Sequence, residues 1–119
     1  MDYNALGQAL ESCKGSRDGT TSITSKILGG DRVDLCYTCV VHYAGEASFR
    51  AQTGRESDRA KAMLKDAVKI ISKEYKTITK KDLTSKVLNE SDDIEIIQAT
   101  AQSPRRVAYY RYHLLISVA

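Results

Sequence analysis

Alternation of apolar and polar positions is clearest near the end of the chain. From Val107 to Val118, the residues Ala108, Tyr110, Tyr112, Leu114, Ile116 and Val118 share one face of a strand with a period of two. Val107, Tyr109, Arg111, His113, Leu115 and Ser117 share the other face, which is mixed and polar. An apolar row of this length needs other elements to cover it. The same pattern runs from Val33 to Tyr43, where Val33, Leu35, Tyr37, Cys39, Val41 and Tyr43 alternate with Asp34, Cys36, Thr38, Val40 and His42. After a turn at Ala44-Gly45-Glu46, the alternation of Ala47, Phe49 and Ala51 predicts a short second strand to Gln52.

Helical spacing then takes over. Ala60, Met63, Leu64, Ala67, Ile71 and Tyr75 form a stripe that predicts a long amphipathic helix from Asp58 to Tyr75, the natural cover for one face of a sheet. At the start, Asp2 is placed to cap a helix from Tyr3 to about Lys14, with Tyr3, Leu6, Ala9, Leu10 and Cys13 inward and Gly15 as the stop. Thr79-Lys80-Lys81-Asp82 has the form of a capping box and predicts a short helix to Leu88, with Leu83 and Val87 inward. Glu90 to Asp93 reads as an acidic turn and Ile94 to Gln102 as a strand. Ser103-Pro104-Arg105-Arg106 then forms a hairpin tip into the last strand. The stretch Gly15 to Asp31, rich in Gly, Ser and Thr, is long for a connection inside a compact domain. It reads as a flexible arm or one ordered by a partner, with Ile23, Ile27 and Leu28 as its anchors.

These elements predict a single α+β domain over residues 1–119. Its largely antiparallel sheet has about four strands, with one long helix and shorter helices packed on one face. The odd-numbered face of the last strand, with Tyr109, Arg111, His113 and Leu115, finds no cover in this scheme. Its mixture of aromatic, cationic and apolar groups suits a subunit interface.

Charge adds one feature. A net charge of +3 is mild, but Lys61, Lys65, Lys69 and Lys73 recur at every fourth position of the long helix, and Lys76, Lys80 and Lys81 extend the run. The plain reading is a solvated face. The sharper one is a basic ridge for an acidic partner, either nucleic acid or another subunit, with Arg105 and Arg106 at the hairpin tip as further contacts.

Candidate chemistry is sparse. Cys36 and Cys39 are three apart on a strand and point to opposite faces, which excludes a shared metal or a local disulfide. Cys13 falls on the apolar stripe of its helix. Gly29-Gly30-Asp31 lacks the lysine and the glycine spacing of a phosphate loop. His42 and His113 both sit inside strands, and His113 can meet Cys36 or His42 only if the strand register brings them together. We therefore expect no catalytic residues, no cofactor and no metal. No apolar run approaches the ~20 residues of a membrane span. With no leader at Met1-Asp2-Tyr3-Asn4, reduced thiols in a cytosolic setting are the expectation.

The order of these elements, the chain length and the closing hydrophobic strand resemble those of phage tail-terminator and related head–tail joining proteins. In that family a helix precedes a strand pair like Val33–Tyr43 with Glu46–Gln52. A helix like Asp58–Tyr75 then crosses the sheet, and a strand like Tyr109–Val118 ends the chain. The resemblance covers most of the chain and rests on pattern. It departs in the long Gly/Ser/Thr arm and in lacking a proline before the first strand. It implies a non-enzymatic virion protein, assembled in the host cytoplasm. Such a protein forms a homo-oligomeric ring, a hexamer in that family, that caps the tail tube and docks to neighbouring virion proteins. The alternative from the residues alone is a small nucleic-acid-binding module using the lysine ridge and the hairpin tip.

Overall fold

The computed structural model describes residues 1–16, 20–97 and 106–119. In chain order the elements are α1 (Tyr3–Glu11), β1 (Gly15–Ser16), β2 (Thr21–Gly29), β3 (Arg32–Tyr43), α2 (Glu46–Thr79), β4 (Ser85–Ile97) and β5 (Arg106–Val118). The strands form one antiparallel sheet in the order β1-β2-β3-β5-β4. Because β1 is only two residues long, four strands carry the sheet. The α+β architecture is as the periodicity predicts.

The two long alternations become the centre of the sheet. Val33 pairs with Ile116, Leu35 with Leu114, Tyr37 with Tyr112, Cys39 with Tyr110 and Val41 with Ala108. Directly opposed residues share a face, so both apolar rows point the same way and all of these side chains are buried. Over them lies α2, with Ala60, Leu64, Ala67, Ile71 and Tyr75 buried at helical spacing. Alongside it α1 contributes Ala5, Leu6, Ala9 and Leu10 to the same core. Asp2 caps α1 as predicted, its Oδ1 accepting the Ala5 N–H at 3.0 Å, and the helix ends at Glu11 rather than near Lys14.

Five expectations are corrected. The stretch read as an arm is in large part β2, a strand paired with β3 from Thr21 to Gly29. Gly29 and Gly30 take positive φ values of 107° and 59° at the turn, a conformation that glycine adopts without a Cβ clash. Residues 17–19 of that stretch lie outside the described residues.

The short strand at Ala47–Gln52 is instead the first turns of α2. Ala, Gln and Arg favour helix, and Phe49, Gln52, Thr53 and Glu56 turn inward at helical spacing, with the Phe49 ring 4.8 Å from that of Tyr43. The long helix thus runs 34 residues, not Asp58 to Tyr75. It ends where Lys80 adopts a left-handed φ of 62°.

The short helix to Leu88 and the acidic turn do not form. Ser85 to Ile97 is one strand paired along β5, with a bulge between Val87 and Asn89. Leu83 is buried as expected, but Val87 is 51% exposed. The remainder of the strand expected to reach Gln102, and Ser103, Pro104 and Arg105 of the hairpin tip, lie outside the described residues.

Candidate functional site

Both helices lie against the even-numbered face of β5, and among the described residues nothing covers the opposite face of the sheet. There Tyr109 stands opposite Val40 on one side and Glu95 on the other. Arg111 stands opposite Thr38 and Asp93, His113 opposite Cys36 and Ser91, and Leu115 opposite Asp34 and Asn89. All four of these β5 side chains are half-buried. Arg111 lies 3.4 Å from Glu95 Oε2 and 3.8 Å from Asp93 Oδ2, and its guanidinium carbon sits 5.6 Å from the Tyr109 ring centroid. A cation held by two carboxylates and a ring is fixed in place more firmly than a free surface arginine.

Register also places His113 between two partners. Its Nδ1 is 3.2 Å from Asp34 Oδ2 and its Nε2 is 3.8 Å from Cys36 Sγ. This acid–imidazole–thiol row depends on β3–β5 pairing, so spacing along the chain does not reveal it. Its chemistry is limited by its setting. Cys36 lies on β3 between β2 and β5, so the neighbouring backbone N–H groups are engaged in the two ladders and none is free to stabilise an oxyanion. The row holds the imidazole at a set angle on a flat face. Cys39, as expected, lies on the other side of the strand. It donates toward Glu56 Oε2 at 3.5 Å, beside the Tyr37 hydroxyl, which donates to the same oxygen at 2.5 Å. Burial, followed by the Glu56 charge, pushes the Cys39 thiol up to about 12. Burial, followed by the Glu56 hydrogen bond, raises the Tyr37 phenol.

The predicted interface residues therefore divide. Tyr109, Arg111, His113 and Leu115 share the open face. Ile27 and Leu28 are exposed near the β2–β3 turn. Ile23 belongs to the core and is not available to a partner.

A second surface was not foreseen. Among the described residues β4 pairs only with β5, leaving its other edge unpaired. Most of the strand is exposed, including Val87, Leu88, Ile94 and, at 61%, Ile96. The same strand carries Glu90, Asp92, Asp93 and Glu95 against the single cation Lys86. The Tyr110 hydroxyl donates to Asp92 and that of Tyr112 donates to Glu90. Burial and these hydrogen bonds raise both phenols.

On the α2 side of the sheet, the side to which Glu90 and Asp92 also point, Lys61, Lys65, Lys69 and Lys73 are all exposed along α2. The Lys61 ammonium lies 5.8 Å from the centroid of the Tyr112 ring. Lys65, Lys69 and Lys73 make no ion pair among the described residues. Arg106 is exposed at the start of β5, opposite Tyr43 and so near the first turn of α2. At 1.5 Å per residue, the first ridge lysine lies about 20 Å further along the helix. Arg106 and the ridge therefore do not form one continuous basic surface, and Arg105 lies outside the described residues.

Among the described residues, no helix is long and apolar enough to cross a membrane, and no group of three or more His, Cys, Asp or Glu is placed to hold a metal ion. No protein-family model, curated protein or solved structure matches the chain.

Proposed function

We propose that the protein is a non-enzymatic structural subunit that assembles with copies of itself into a ring in a virion. This is the tail-terminator or head–tail connector role that the resemblance in element order implies. The observation that carries the reading is the open sheet face. Its centre bears Tyr109, Arg111, His113 and Leu115 and has no covering layer among the described residues. Sheets of this kind bury one face on their own helices, and a second face that carries an aromatic ring, an arginine and an apolar side chain at its centre suits a partner. The open β4 edge beside it enlarges the same surface. In this reading the cover is another copy, and the work is done by the interface.

The test is a pair of substitutions on the open face, Tyr109→Glu with Leu115→Glu. Neither side chain contributes to the buried core, so the variant is expected to keep the circular-dichroism spectrum of the parent. Light scattering after size separation is expected to show a multi-subunit parent and a monomeric variant. A variant that assembles as the parent does would remove the open face from the account.

A further inference from the structure

Besides its mixed side chains, the open face carries the row of Asp34, His113 and Cys36. Both Asp34 oxygens lie near His113 Nδ1, at 3.3 and 3.2 Å. A carboxylate there holds the ring proton on Nδ1 and leaves the Nε2 lone pair as an acceptor. That lone pair faces Cys36 Sγ at 3.8 Å, and the Thr38 hydroxyl lies 3.4 Å from the same sulfur. An imidazole oriented by a carboxylate can take the thiol proton, and the hydroxyl can donate to the thiolate that forms.

The other two cysteines are placed against such chemistry. Cys39 is 3% exposed and donates toward Glu56, and burial followed by the Glu56 charge pushes its thiol up to about 12. Cys13 donates to the Ala67 carbonyl at 3.4 Å, and burial followed by the Glu74 charge raises its thiol. Neither has an imidazole beside it among the described residues. Cys36 is 8% exposed, and its side chain points to the side of the sheet that no layer covers among the described residues. An opening of that size suits a small reagent.

The row fits one kind of reaction. Acyl transfer needs donors for an oxyanion, and the ladders on both sides of β3 engage the neighbouring N–H groups. Thiol–disulfide exchange forms no oxyanion, because the charge stays on sulfur. We propose that Cys36 is a modification site that exchanges with a low-molecular-weight disulfide, with His113 as the base and Asp34 as its positioning residue. His113 Nε2 takes the Cys36 proton, and the thiolate attacks one sulfur of the disulfide. A new S–S bond forms as the old one breaks. The leaving sulfur departs with the electron pair of the broken bond and takes the proton from His113, so it leaves as a thiol. Cys36 is oxidised to the disulfide level and half of the reagent is reduced. Cys39 and Cys13 both lie on the core side of the sheet, so neither can displace the adduct, which persists until an outside thiol removes it. The reaction is stoichiometric, and it stands on the row alone and not on self-assembly.

Hydroxyethyl disulfide is the probe, added to the chain diluted until light scattering shows single copies, so that no second copy covers the face. Peptide mass spectrometry maps the adduct and follows its rate. One adduct is expected, on Cys36, formed roughly tenfold or more faster than on Cys13 or Cys39. H113Q is expected to slow the Cys36 reaction roughly tenfold or more, and D34N to slow it by a smaller factor. In denaturant the parent and both variants are expected to react alike at all three cysteines. Were the row only structural, loosening it would expose Cys36 and speed the reaction; that result would overturn the proposal. So would adducts on Cys13 or Cys39 in preference to Cys36, or a Cys36 rate that both substitutions leave unchanged.

Discussion

Three buried or half-buried tyrosine hydroxyls donate to carboxylates, Tyr37 to Glu56, Tyr110 to Asp92 and Tyr112 to Glu90. In each case burial comes first, and the hydrogen bond adds to it in raising the phenol above its ordinary value of 10.0. A group whose folded value is raised favours the folded state while it is protonated. Its contribution is complete below the unfolded value, near pH 10, and is lost as pH rises from there toward the folded value. The fold is therefore expected to lose stability on raising the pH above about 10. Replacing Tyr110 and Tyr112 together by Phe removes two of the linked protons. Chemical denaturation between pH 9 and 12 is expected to show a shallower decline for that variant than for the parent. Equal slopes would mean that these phenols titrate alike in both states.

At the scale of elements, the continuous helix α2 includes Gly54, whose position has room for a Cβ with no heavy atom within 4 Å and no positive φ. Gly54→Ala is expected to stabilise the protein by about 0.5–1 kcal/mol, read as a rise in the thermal midpoint. An unchanged or lower midpoint would indicate that this part of the helix forms without the usual backbone-entropy cost.

The same scale explains what could be read along the chain. β3 and β5 were legible because their inner rows are unbroken apolar alternations buried on one face. β2 was not, because Thr21 and Ser25 put polar residues into its inner row alongside Ile23 and Ile27, and pairing with β3 does the rest. The start of α2 was misread because Ala47, Phe49 and Ala51 satisfy a period of two over a window too short to reject a period of 3.6. β4 was hidden by its bulge, which changes the parity: Val87 faces the helix side before it, and Glu90, Asp92, Ile94 and Ile96 do so after it. A run such as Glu90-Ser91-Asp92-Asp93 also disfavours strand by composition, and only the long ladder with β5 overrides that preference. For the candidate site, the open face followed from the odd-numbered row of β5 alone. The meeting of His113 with Cys36 and Asp34 needed the β3–β5 register, and the acidic edge needed β4 to be seen as a single strand.

At the scale of the whole molecule, the 34-residue helix, about 51 Å long at 1.5 Å per residue, matches the longest dimension of the fold, 54 Å. The molecule is a slab with a basic helical side and an open sheet side bordered by acid. The proposal that another copy covers the open side is tested at this scale. Native mass spectrometry of the unmodified chain over a range of concentrations tests it most directly. One closed oligomer of fixed subunit number is expected, the same at every concentration where it forms; six copies is the number the tail-terminator resemblance implies. A monomer that persists at the highest concentration reached would contradict it.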